Sequence, residues 1–290
     1  NGFCNGDVMG VCIVDYDGGT PGTLKASGNR GDNVRHTFDE PNYRWNSAYD
    51  LYWKDKHTHI DVYGYYPFAD PESVDDYQFE VKRDQSKPSE NGEMGGYEAS
   101  DFLWGKVADV APTTNVIRLP MKHRMANARV TLVEGSGFAA GEWAGTEKTV
   151  LAPNLIRKAS INLADGTVTA NGSVEATATM PSRSGNEWRA IVVPQTVAGG
   201  TTLFSITIGG VPYKFAKSEA FTYTAGKMSN FSIRVDKKTN SGQYQLTLIS
   251  ESITPWENDL VSHDATAKQY VVVNSTAGGL KNAIAAAKLD

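Results

Sequence analysis

The side chains best suited to chemistry lie in His57-Thr58-His59-Ile60-Asp61. Successive side chains of an extended strand point to opposite faces, so His57, His59 and Asp61 would share one face. Two imidazoles and a carboxylate form a donor set for a catalytic zinc, which activates water for hydrolysis. The acidic stretches Asp15 to Asp17 and Asp70 to Asp76 offer oxygen ligands for a loop calcium, but both sit in turn-like contexts where a solvated acidic turn is the simpler reading. No Gly-x-Ser-x-Gly elbow, phosphate loop or dinucleotide fingerprint is present, and Ser184 and Ser241 sit in turns without a nearby histidine.

The histidine segment resembles the opening of the His-x-His-x-Asp-His signature of metallo-β-lactamase-type hydrolases. That resemblance covers five residues, and Val62 stands where the signature needs its next histidine. It would also need a helix-rich frame, and only His36, His123 and His263 remain to complete a site. Polar residues at the mouth of a strand are therefore the leading reading, with a metallohydrolase at His57, His59 and Asp61 as an alternative.

The element that must position these residues is the run His59 to Pro67. β-Branched and aromatic residues dominate it, and Ile60, Val62, Gly64 and Tyr66 alternate with Asp61, Tyr63 and Tyr65. Rings occur in both alternating sets, which predicts a central strand packed on both faces. Pro67, without a backbone N–H, ends it. An aromatic run from Tyr43 to Trp53 precedes it and is its expected packing partner. Trp45, Tyr49, Tyr52, Trp53, Tyr63, Tyr65 and Tyr66 could stack against sugars, which gives a glycan-binding sandwich as a second alternative. Rings at this density more often fill a core, because each buries a large apolar area.

The 290 residues suffice for two domains with substantial cores. A net charge of −5 without a basic block argues against a nucleic-acid partner or a polybasic membrane contact. No apolar run reaches the roughly 20 residues of a membrane helix. Cys4 and Cys12 are the only cysteines, and a short hairpin could bring them together as a disulfide in an oxidising compartment.

Glycine-rich turns and short β-prone runs fill the remainder. Strands are expected over Val8 to Tyr16, Val34 to Phe38, Tyr77 to Arg83, Asn115 to Met121 and Ala128 to Glu134. Further strands are expected over Ile156 to Leu163, Val174 to Thr179, Arg189 to Val193, Leu203 to Ile208, Pro212 to Ala216, Phe231 to Val235 and Gln243 to Ile249. The regular spacing after His123 points to a Greek-key sandwich. After Trp256 the pattern changes: Tyr270-Val271-Val272-Val273 is β-prone, and Leu280 to Ala287 has helical composition.

In their order and spacing, these landmarks resemble the fimbrillin family of Bacteroidetes-type surface pili. Gly6-Asp7-Val8-Met9-Gly10-Val11 is similar to an early family strand. Ile60-Asp61-Val62-Tyr63-Gly64-Tyr65-Tyr66-Pro67 is similar to its central one, with Gly64 where alanine is usual. Ser100-Asp101-Phe102-Leu103-Trp104, the stretch from Val116 to His123 followed by Ala128 to Leu132, Val193-Pro194-Gln195 and Ile253-Thr254-Pro255-Trp256 are similar to later landmarks.

The resemblance implies an all-β chain of two tandem transthyretin-like Greek-key β-sandwich domains. These span residues 1–123 and 124–256, with 257–290 as a tail, an arm or the start of a further domain. It also implies a non-catalytic fimbrial subunit or adhesin at the cell surface, in a fimbrium or on the outer membrane, exported as a lipoprotein. Partners would be other fimbrial subunits or host and bacterial surface ligands, with membrane contact only through a lipid anchor and no cofactor. The family's leader, lipidation cysteine and first strand are not seen in the sequence, so the first sandwich is expected to carry an unfilled edge. Tyr270, Val271, Val272 and Val273 are the candidate strand for exchange with a neighbour.

Overall fold

The computed structural model describes residues 3–90, 93–113, 116–239, 241–256, 270–274 and 284–285. The chain is all-β, with a single helical turn, Glu142–Gly145, as its only described α-helix. The first half supplies β1 (Val8–Asp15), β2 (Gly31–Asp39), β3 (Arg44–Ser47), β4 (Ile60–Tyr66), β5 (Tyr77–Glu80), β6 (Leu103–Val110), β7 (Val116–Pro120) and β8 (Lys122–His123). β4 lies between β1 and β6, pairing antiparallel with both; Ile13 faces Val62, and Trp104 faces Tyr65.

All seven residues of β4 are buried. The alternation in its sequence is the reason. Ile60, Val62 and Tyr66 enter one cluster with Met9, Val11, Phe38, Trp45 and Leu119. Tyr63 and Tyr65 enter another, with Cys12, Val14, Phe79, Phe102 and Trp104. Gly64 is required by the first packing: a Cβ there would stand 2.4 Å from Leu119 Cδ2. At Gly105 of β6 a Cβ would stand 2.1 Å from the Pro120 carbonyl oxygen. Two glycines thus let β7 lie directly across the β4–β6 pair.

The second half supplies β9 (Ala126–Glu134), β10 (Lys148–Leu151), β11 (Lys158–Asn162), β12 (Thr167–Ala170), β13 (Ser182–Ser184), β14 (Glu187–Val192), β15 (Gln195–Val197) and β16 (Thr202–Ile208). It continues with β17 (Val211–Ala216), β18 (Phe221–Tyr223), β19 (Lys227–Lys237) and β20 (Tyr244–Pro255). A five-stranded sheet in the order β13-β14-β9-β19-β20 packs over the three-stranded sheet β10-β16-β17. β9 and β19 run parallel; the other pairs in these sheets are antiparallel. Val130, Leu132, Trp188, Phe204, Ile206, Phe231 and Ile233 fill the space between.

The two halves also share material. β5 pairs with β11, Phe79 opposite Ala159. The cluster on the far face of β4 takes Met125, Ile161, Leu163, Ile191, Val193, Met228 and Trp256 from the second half. Each large apolar side chain fully buried there contributes about 1.5–3 kcal/mol, so this seam holds the halves far more firmly than surface ion pairs could.

Three expectations need correction, and a fourth falls almost wholly outside the described residues. The aromatic run Tyr43 to Trp53 is a strand only over β3, and β3 pairs with β2 rather than with β4, because β1 occupies the place beside β4. Val174 to Thr179 makes only isolated bridges, Glu175 to Leu155 and Thr179 to Ala152; Arg157 and Arg83 both draw the Glu175 carboxylate toward themselves. No disulfide joins Cys4 and Cys12: the first is exposed and the second buried. Cys12 lies inside β1, whereas Cys4 precedes the strand, in a turn where the Asp7 N–H donates to the Cys4 carbonyl, so the two do not sit opposite each other on a hairpin. The helical expectation for Leu280 to Ala287 lies outside the described residues, except that Ile284 and Ala285 are in a strand.

Candidate functional site

Two places are candidates: the histidine–aspartate cluster at the mouth of β4, and the strand beside β7.

At the first, the strand begins only at Ile60, so the alternation that would align His57 with Asp61 does not extend back to them. Asp55 caps the preceding turn instead, its carboxylate accepting from the N–H groups of His57 (2.7 Å) and Thr58 (2.6 Å) and from the Thr58 hydroxyl. These bonds draw the Asp55 carboxyl down to about 2. His59 turns outward, its Nδ1 2.7 Å from Asp109 Oδ1 on the surface.

Asp61 points inward and is 1% exposed. Its Oδ1 accepts from the Tyr16 hydroxyl at 2.9 Å and the Asp109 N–H at 3.0 Å. Its Oδ2 meets Lys106 Nζ at 2.9 Å and the Tyr63 hydroxyl at 3.4 Å. Burial alone would raise its pKa, but the Lys106 ammonium, the Asp109 N–H and the Tyr16 hydroxyl outweigh it, and the carboxyl lies below its ordinary value. Lys106 also sits 4.6 Å over the Tyr63 ring. Both carboxylate oxygens are therefore committed to internal partners, and among the described residues no group of three His, Cys, Asp or Glu side chains could hold a metal. His57, His59 and Asp61 are not brought together, so the metallohydrolase reading has no geometric support.

The rings do not form a platform either. Trp45, Tyr63, Tyr65 and Tyr66 are buried, and Trp53 packs partly buried against the first cluster. Tyr49 and Tyr52 are exposed on the loop after β3.

At the second place, β21 (Tyr270–Asn274) runs antiparallel to β7, from Tyr270 opposite Pro120 to Asn274 opposite Val116. β22 (Ile284–Ala285) joins Val273 on one side and Trp45 of β3 on the other. The first sheet thus reads β7-β21-β22-β3-β2-β1-β4-β6-β8. The segment beyond residue 256 thus occupies the place beside β7 within its own chain. β7 alone would leave one row of backbone donors and acceptors unpaired, and pairing it is the physical reason a β-prone segment docks there.

A contact that the sequence did not reveal fixes where this segment departs. His123 Nδ1 lies 2.8 Å from Asp101 Oδ1, and the His123 ring stacks on Trp256 at 4.0 Å and 7°. The Trp256 N–H donates to the Gly226 carbonyl, and the Gly226 N–H to that of Met125. The last described residue before the tail is thereby pinned against the seam between the halves. Asp101, His123 and Trp256 each stand in a separate sequence landmark, and nothing in their spacing indicates that they meet.

A family model described as fimbrillin-like matches residues 1–256. In fold the chain is similar to a candidate cell adhesion protein from Bacteroides uniformis, with 15% identity, a TM-score of 0.62, and coverage of 88% of this chain and 93% of that one. It is similar also to a candidate cell adhesion protein from Bacteroides ovatus, with 12% identity, a TM-score of 0.58, and coverage of 88% and 89%. No curated protein matches the chain. No helix among the described residues is long and apolar enough to cross a membrane.

Proposed function

Because this chain belongs to the fimbrillin-like family, matched over residues 1–256, we propose that it is a non-catalytic fimbrial subunit or adhesin of the cell surface that links to its neighbours by strand addition. The observation that carries this reading is β21, a strand from outside the matched region lying beside β7 in the first sheet. The same strand offered to β7 of a neighbour would make the same backbone bonds, each worth about 1 kcal/mol net. Exchange then costs little in contacts and is driven by concentration. Tyr270, Val271, Val272 and Val273 are the exchanging residues in this reading.

The matched region is read as two modules, residues 1–123 and 124–256, because one apolar cluster draws only on residues before 124 and another only on residues after 125. Anchoring as an outer-membrane lipoprotein, with other fimbrial subunits or surface ligands as partners, belongs to the same proposal. Light scattering on the full chain and on a chain ending at residue 256, at matched concentrations, tests the linkage. Concentration-dependent association of the full chain that disappears on truncation supports it. Equal association of both chains removes β21 from the role.

A further inference from the structure

β20 is the edge strand of its sheet, paired along one side with β19 and, among the described residues, with nothing on the other. Its open side can be read from two bonds. The Gln243 carbonyl accepts from Lys238 on the β19 side, whereas the Tyr244 N–H turns the other way, to the Tyr213 hydroxyl at 2.6 Å. Ladder alternation therefore sends the backbone groups of residues 246 and 248 toward the open side. The register slips by one residue at Ile249, so beyond it residues 251 and 253 take over that direction.

Three large apolar side chains stand on this strand with substantial exposure: Leu248 at 39%, Ile249 at 47% and Ile253 at 52%. An exposed edge is ordinarily protected by lysine, by an inward charge or by an interior proline. Here Pro255 comes only at the end, and Glu251 is the single charge, held by Lys217 Nζ. Because Lys217 neutralises Glu251 within its own chain, a second copy brought to this edge meets no net charge along β20.

We propose that β20 pairs edge to edge with β20 of a second copy, antiparallel about a two-fold axis through Ser252. This register sets Glu251 opposite the partner's Ile253 in hydrogen-bonded pairs and Ser252 opposite its own counterpart in a non-hydrogen-bonded pair. The two Glu251 side chains stay on their own lysines and meet no like charge. A two-fold is the closure that a self-complementary edge allows without growing into an open fibre. The surface is distinct from β7 and the tail, so it would join subunits sideways.

The test uses the full chain. Sedimentation across a concentration series should show a dimer that Ile253→Glu weakens at least tenfold, because it sets a second carboxylate opposite the partner's Glu251; the side chain is exposed, so the variant keeps its fold. In a Cys4→Ser background, Ser252→Cys should form an interchain disulfide on mild oxidation, because opposed residues of a non-hydrogen-bonded pair lie about 4.5 Å apart at Cα. A chain that stays monomeric throughout, or one whose association ignores Ile253→Glu and leaves Ser252→Cys unlinked, overturns the pairing. Association through the tail gives that last result while still being abolished by truncation at 256, so the two proposals fail separately.

Discussion

Replacing Asp61 by alanine is the sharpest probe of whether the mouth of β4 is structural. The carboxylate has an ammonium at 2.9 Å and accepts from a tyrosine hydroxyl at 2.9 Å and a backbone N–H at 3.0 Å, at 1% exposure. Removing one partner of a buried ion pair typically costs about 3–5 kcal/mol, because the other charge is left uncompensated. Lys106 keeps 30% of its side-chain surface exposed and can regain water, which places the loss near the lower end, about 3 kcal/mol. The buried Tyr16 hydroxyl and the Asp109 N–H lose their acceptor and keep the cost from falling much below that.

For a protein of this size such a loss lowers the melting temperature by roughly 6–12 °C. Differential scanning calorimetry at neutral pH measures it. The folded-state pKa of Asp61 is depressed, so its contribution is present above its unfolded value of about 3.9 and is lost as pH falls through the folded value. The gap between wild type and Asp61→Ala should accordingly be full at pH 7 and narrow below about pH 4. A variant that melts with wild type at neutral pH would refute the pairing and return Asp61 to the list of groups available for chemistry.

The remaining expectations concern packing and the thiols. Gly105→Val should give little or no folded protein, since its Cβ would stand 2.1 Å from the Pro120 carbonyl oxygen, which β7 cannot move without leaving the β4–β6 face; circular dichroism of the purified variant decides this. At most one thiol per native chain should react with an aromatic disulfide reagent and two after unfolding, because burial pushes Cys12 up to about 11; no reactive thiol in the unfolded chain would mean a disulfide after all. Residues 124–256 alone should unfold cooperatively but at lower temperature than the full chain, since they keep the cluster around Phe231 but strip the seam from Ile161, Leu163, Ile191 and Val193. A fragment without a cooperative transition would count against the division at 123.

What the sequence determined by itself is the local and the periodic. The alternation of Ile60, Val62 and Tyr66 with Asp61, Tyr63 and Tyr65 is a property of seven consecutive residues, and it placed β4 in the centre with rings on both faces. The glycine-rich turns between β-prone runs likewise marked the short strands of the second half, and the ordered landmarks carried the family.

Which distant residues meet is settled by the packing of the whole chain. Trp45 was legible as core, but not that β1 would take the place beside β4 and leave β3 to β2. Asp61 was legible as a polar residue on a strand, but its commitment depends on Lys106, Tyr16 and the backbone of Asp109, up to 48 residues away. The pairing of β21 with β7 and the stack of Trp256 on His123 close loops of well over a hundred residues. Such closures cost chain entropy that no local pattern reveals, and they form because an open strand edge and an apolar seam have no other way to be covered.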